Sequence, residues 1–121
     1  MRRIITALLF LALVGTLLGA VPALAQDDDS GAQVNIVEPD SQPPQAWTYD
    51  PNDLTVDAGT TITWTNTGAV AHTVTADDGA SFDSGNVDPQ ATFSLSLTSP
   101  GTFTYHCSYH PWMTGSITIG G

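Results

Sequence analysis

The sequence predicts an all-β sandwich of seven or eight short strands, and three observations carry that expectation. Beyond Ala46, apolar side chains recur at every second position. Up to the C-terminus, no stretch after the N-terminal apolar run keeps a 3.6-residue spacing for three turns. The separators are turn formers: Asp57-Ala58-Gly59, Asn66-Thr67-Gly68, Gly85-Asn86 and Ser99-Pro100-Gly101.

Taken in chain order, residues 1–25 read as an export signal. Arg2 and Arg3 precede the apolar run Ile4 to Val21, and Ala23-Leu24-Ala25 supplies a small-x-small cleavage pattern. The rival is an uncleaved anchor, because the apolar run is just long enough to span a bilayer. Thr6, Gly15, Thr16 and Gly19 weaken that run, and Pro22 precedes the cleavage pattern, so cleavage is preferred. The expected location is periplasmic or otherwise extracytoplasmic, with membrane attachment through residues 4–21 if the segment stays. Gln26 stands where a lipoprotein would need cysteine.

After cleavage the chain is long enough for one small core and too short for two domains. Both basic residues leave with the signal, while twelve acidic residues stay, so the formal charge of −10 becomes more negative by two. A domain with no Lys or Arg cannot neutralise phosphates, which excludes nucleic acid and anionic lipid as partners of a basic patch. Cationic partners and metal ions are favoured. The lone Cys107 has no intrachain partner for a disulfide, so its presence calls for another explanation.

Residues 26–45 read as an acidic, proline-containing leader: a solvated tail, a short edge strand at Val34-Asn35-Ile36-Val37, and a Pro43-Pro44 linker. Asp27 to Asp29 lack the spaced pattern of a calcium loop. The domain proper is expected over 46–121. Its strands follow from the pairs and triplets Leu54 and Val56; Ile62 and Trp64; Val70, His72 and Val74; Phe93, Leu95 and Leu97; Phe103, Tyr105 and Cys107; Ile117 and Ile119. Residues two apart on a strand share a face. His72 is therefore expected to point inward with Val70 and Val74, Cys107 inward with Phe103 and Tyr105, and His106 toward solvent.

The chemistry concentrates near the C-terminus in Tyr105-His106-Cys107-Ser108-Tyr109-His110-Pro111-Trp112-Met113, which sets a thiol, an imidazole and a thioether at positions i, i+3 and i+6. With His72 upstream, the set is two imidazoles, one thiolate and one thioether, the donors of a type 1 copper centre. Soft sulfur favours Cu(I), imidazole accepts both oxidation states, and a site that suits neither ion fully reorganises little when an electron moves. Zinc is the rival metal, but a thioether is a poor zinc ligand and no fourth nitrogen, oxygen or thiolate donor stands nearby.

These residues resemble the cupredoxin family of small blue-copper electron carriers, and most closely its amicyanin and plastocyanin-like members, halocyanins included. The resemblance covers roughly Tyr49 to Ile119. Its specific part is the short Cys-x-x-His-x-x-Met loop in Tyr105 to Gly115, joined by Ala71-His72-Thr73-Val74 and Phe82-Asp83-Ser84-Gly85. It implies a cupredoxin-like Greek-key β-sandwich and one copper ion. His72, Cys107 and His110 become the strong ligands, with both imidazoles binding through Nδ1, and Met113 becomes the axial ligand. It also implies a monomeric one-electron carrier between redox proteins rather than an enzyme.

Many relatives carry Asn after the first histidine, where this chain has Thr73, whose hydroxyl can make a shorter bond to backbone near Ser108. Pro111 stiffens the ligand loop by fixing its own φ and biasing His110 toward extended backbone. The acidity suits partners with basic docking surfaces, or a saline habitat. In the related proteins the second histidine ligand reaches the surface through an apolar patch. Electrons are therefore expected to leave through the imidazole edge of His110, flanked by Tyr109, with Pro111 and Trp112 shaping the docking surface, the alternative being that Trp112 caps the sandwich end. Two other functions use the same residues. A Cys107 nucleophile with a histidine base would make a hydrolase, but the thiol points inward and no hydrolase motif is present. Copper trafficking would need the metal released, and such sites rely on exposed Met or Cys clusters, whereas Met1 and Met113 are this chain's methionines.

Overall fold

The structure is a computed structural model that describes residues 31–121. The export signal, the anchor alternative and the Asp27 to Asp29 tail lie outside the described residues. Eight strands form: β1 Ala32–Val37, β2 Thr48–Asp50, β3 Asp53–Asp57, β4 Thr61–Asn66, β5 Thr75–Ala76, β6 Thr92–Ser96, β7 Gly101–His106 and β8 Thr114–Gly120. They make two four-stranded sheets, in the orders β2-β1-β4-β6 and β3-β8-β7-β5. This is the expected all-β sandwich at the upper end of the expected strand number.

β1 corrects the expectation of an edge strand. It lies inside its sheet, antiparallel to β2 and parallel to β4. The reason is its alternation: Val34 and Ile36 are fully buried while Gln33 and Asn35 face out, so the strand presents one apolar face and has both edges paired. The compact unit runs Gly31–Gly121. The segment read as a leader before residue 46 is thus part of the sandwich from Gly31 onward, and residues Pro44–Ala46 form a single 3-10 turn.

A second correction concerns Val70, His72 and Val74. The regular strand here is only β5, with isolated bridges from His72 to Val87 before it and from its first residue, Thr75, to Asp83. Val70 is exposed, while His72, Thr73 and Val74 are consecutively buried. Period two fails because this stretch crosses the end of the sandwich, covered on both sides, instead of lying in a sheet.

Between the sheets the core is built on Trp64, Tyr49 and Tyr105, with Val34, Ile36, Ile62 and Ile117 around them. Trp64 Nε1 donates to Tyr105 Oη at 3.2 Å, and the two rings meet edge to face with centroids 5.7 Å apart. Truncating a buried aromatic costs about 3–5 kcal/mol, against about 1 kcal/mol for one neutral hydrogen bond. Packing therefore dominates, and the bond fixes ring orientation. Tyr105 pairs with Gly115 on β8, and its ring fills the place a Cβ would take there. Any larger residue at 115 would push Tyr105 away, two residues from Cys107.

Candidate metal centre

Cys107 follows the last residue of β7, and the loop Ser108 to Met113 returns to β8. Three backbone bonds tie that loop: Cys107 N to Met113 O at 3.1 Å, His110 N to Cys107 O at 3.2 Å, and Met113 N to His110 O at 2.8 Å. Pro111, at the tip, carries no N–H that this scheme would leave unpaired. His72 comes from the connection between β4 and β5, where it exchanges two backbone bonds with Val87, at 3.1 and 2.8 Å.

These two segments bring the expected residues together. Cys107 Sγ lies 3.8 Å from His72 Nδ1 and 3.4 Å from His110 Nδ1. One donor atom from each of the three falls within 4.8 Å of the others. Cys107 and His72 are fully buried, His110 is half-buried, and Met113 is buried at the end of the loop.

Thr73 plays the part its hydroxyl allows. Ser108 N donates to Thr73 Oγ1 at 2.8 Å, and Thr73 N donates to Cys107 Sγ at 3.4 Å. The chain of hydroxyls continues from Thr73 to Thr75 at 2.9 Å and from Thr75 to Ser108 at 3.1 Å. Tyr49 Oη reaches from the core to donate to Thr73 O at 2.5 Å. Thr73→Val keeps the shape and removes the acceptor. It is expected to lower unfolding free energy by about 1–3 kcal/mol in denaturant titration, with the spectrum of the copper form retained.

Electrostatics at the site favour the thiolate. Burial works to raise the Cys107 thiol, but the His72 hydrogen bond, the Thr73 and Tyr109 N–H groups and His110 together bring it down to about 6. Burial works against a charge on His72 as well, yet the bonds to Cys107 and Glu38 leave its pKa raised.

Three residues at the site escaped the sequence reading. Glu38 lies just past β1 and sets its carboxylate against His72 Nε2 at 2.7 Å. Trp47 packs edge-on against both imidazoles, with centroids 5.6 Å from His72 and 5.0 Å from His110. Asn66 is fully buried; its Nδ2 donates to Val70 O and Val87 O, each at 2.8 Å, and its Oδ1 accepts from Gly68 N at 2.8 Å. Asn66 looks like a turn former in sequence, but it braces the His72 connection.

His106 takes the opposite face, as strand parity requires. Its Nδ1 lies 2.5 Å from Asp77 Oδ1, on the outside of the sheet. His106→Ala is expected to leave the visible spectrum of the copper protein unchanged, and a shifted or bleached band would show that the imidazole reaches the centre.

The donor chemistry fits copper. A thiolate and two Nδ1 atoms converge in a buried site; His72 presents Nδ1 because Nε2 is engaged by Glu38, and the next buried side chain of the loop is a thioether. Among the described residues, the cluster of His, Cys and acidic donors stops at three, which leaves a structural zinc site one ligand short.

A sandwich of this topology with this donor set defines a small β-sandwich copper protein. The chain belongs to the cupredoxin-like domain family, which matches residues 8–119. Amicyanin-alpha of Methylorubrum extorquens is 29% identical over 105 residues, covering 84% of this chain and 82% of the relative. The chloroplastic plastocyanin of Hordeum vulgare is 32% identical over 117 residues, covering 87% and 69%. Among solved structures, a purple cupredoxin from Nitrosopumilus maritimus superposes with a TM-score of 0.66 at 31% identity, covering 74% of this chain and 99% of that one.

Proposed function

We propose that this protein is an exported one-electron carrier of the blue-copper type, in which His72, Cys107, His110 and Met113 would hold a single copper ion. The observation that carries this reading is the convergence of one buried thiolate and two imidazole Nδ1 atoms on ties already in place. Bound copper supplies the Cu(I)/Cu(II) couple.

The chain's own residues do the rest. The Thr73 bonds and the three loop bonds hold the donors in one arrangement, so little has to move when the charge of the site changes by one. Trp47 packs against both imidazoles, and Met113 is buried at the end of the same loop, which keeps the surroundings of the donors apolar. His110 is the ligand whose ring reaches toward the surface, between Trp47 and Trp112, and so offers the short way out for an electron. A carrier suits this site better than an enzyme does, because a fully buried Cys107 has no approach for an electrophile. The acidic surface supports partners with basic docking faces.

The copper-loaded protein is expected to be intensely blue, with narrow parallel hyperfine splitting, and to cycle between oxidised and reduced forms without losing metal. A pale Cu(II) form would overturn the type 1 reading. Metal released at each reduction would instead mark a trafficking protein.

A further inference from the structure

Glu38 is a carboxylate set against a candidate ligand in a domain that carries no Lys or Arg. Every residue after Arg3 is something else, so no cationic side chain other than histidine can compensate it. Its side chain is 12% exposed. Both oxygens are engaged: Oε1 accepts from Ala69 N at 2.9 Å, and Oε2 accepts from Val70 N at 3.2 Å while facing His72 Nε2 at 2.7 Å. Gly68 completes the seat, because the carboxylate occupies the space its Cβ would need. The last residue of β1 is Val37, so an interior strand delivers Glu38 to this place.

Two consequences follow from general chemistry. A carboxylate accepting from one ring nitrogen fixes the tautomer and turns the other nitrogen, here Nδ1, to the metal. A fixed negative charge one ring away from the metal stabilises the more positive oxidation state. With a thiolate ligand the site carries a net charge of one in the Cu(II) state and none in the Cu(I) state. The Glu38 charge moves the neutral point to the oxidised state.

We propose that Glu38 is a positioning residue for the centre, orienting His72 and selecting for the divalent ion, and so setting the reduction potential below that of the same site without it. The proposal rests on the copper reading above. No motif announces it, since the contact joins residues 34 apart in sequence.

The test compares wild type with Glu38→Gln and Gly68→Ala. Glutamine keeps the shape but turns one acceptor into a donor and removes the charge. Alanine at 68 keeps the charge but drives the carboxylate off its seat, and the backbone there is not in the left-handed region, so it accepts a Cβ. Cu(II) and Cu(I) affinities are measured by competition with chelators, the potential by voltammetry, and stability of the metal-free proteins by thermal melts. Glu38→Gln is expected to weaken Cu(II) about tenfold with Cu(I) nearly unchanged, which raises a one-electron potential by about 59 mV. Gly68→Ala is expected to shift it in the same direction by less. A variant whose melting point falls while its potential and affinity ratio match wild type would show that Glu38 only braces the loop, and would overturn the proposal. If Glu38→Gln does not fold, Gly68→Ala decides alone. A wild-type protein that is not blue would overturn the copper reading itself, a result distinct from either.

Discussion

Cys107→Ser is expected to abolish the intense visible absorption of the Cu(II) protein and to weaken copper binding by more than about 100-fold, since loss of a residue that merely supports a ligand already costs 10–100-fold. The colour of a type 1 centre arises from charge transfer out of a covalently bound thiolate, and a serine hydroxyl offers neither the soft orbital nor an accessible anion. The fold should survive. The side chain at 107 is fully buried, but Thr73 N, which donates to Sγ at 3.4 Å, can donate to a serine oxygen in the same position. Metal-free melts therefore separate the two effects: a near-native melting point with no blue band supports Cys107 as the ligand. A blue Cys107→Ser protein would remove it.

The run of candidate ligands was legible because its information is local. Cys107, His110 and Met113 fall in one short run with fixed spacing, and the alternation of β7, carried one residue past its end, points Cys107 in and His106 out. The Thr73 to Ser108 bond was legible because a hydroxyl beside His72 has few places to go. β1 was harder. Its parallel partner β4 begins 24 residues after Val37, and a parallel pairing leaves no hairpin turn in the sequence to announce it. Only the three-residue spread of Val34 to Ile36 betrays a buried face. Glu38 was hidden for the same reason, since its meaning depends on where β1 ends. A signal existed: it is the chain's single glutamate among many aspartates, directly after a buried strand. Val70 misled because alternation was read across a stretch whose backbone leaves the sheet, and there the side chains answer to what covers the sandwich end.

Trp112→Glu is expected to slow electron transfer to a redox partner by about tenfold or more, the scale of a central interface tryptophan, while leaving the blue spectrum nearly intact. Trp112 is 43% exposed and Tyr109 53% exposed, an uncommon amount of aromatic surface beside a candidate ligand. The Trp112 ring lies 5.3 Å from that of His110, and its Nε1 donates to Pro44 O at 2.7 Å. That bond ties the tip of the Ser108 to Met113 loop to the 3-10 turn that leads into Trp47, so Trp112 has a structural share as well as a docking one. Trp112→Phe separates them: it loses the bond but keeps an apolar ring. Loss of the bond alone costs about 1 kcal/mol and should appear in melts of both variants. Charge needs a control of its own, because a new carboxylate on an already acidic protein would speed encounter with a basic partner and mask lost contact. Near 1 M salt the Debye length falls to about 3 Å, and the rate then reports contact rather than steering. Under those conditions Trp112→Phe should transfer electrons close to wild type and Trp112→Glu slowly. Equal slowing in both would mean that the tie to Pro44, and not an apolar docking face, is what the indole contributes; no slowing in either would place the electron's exit elsewhere than His110.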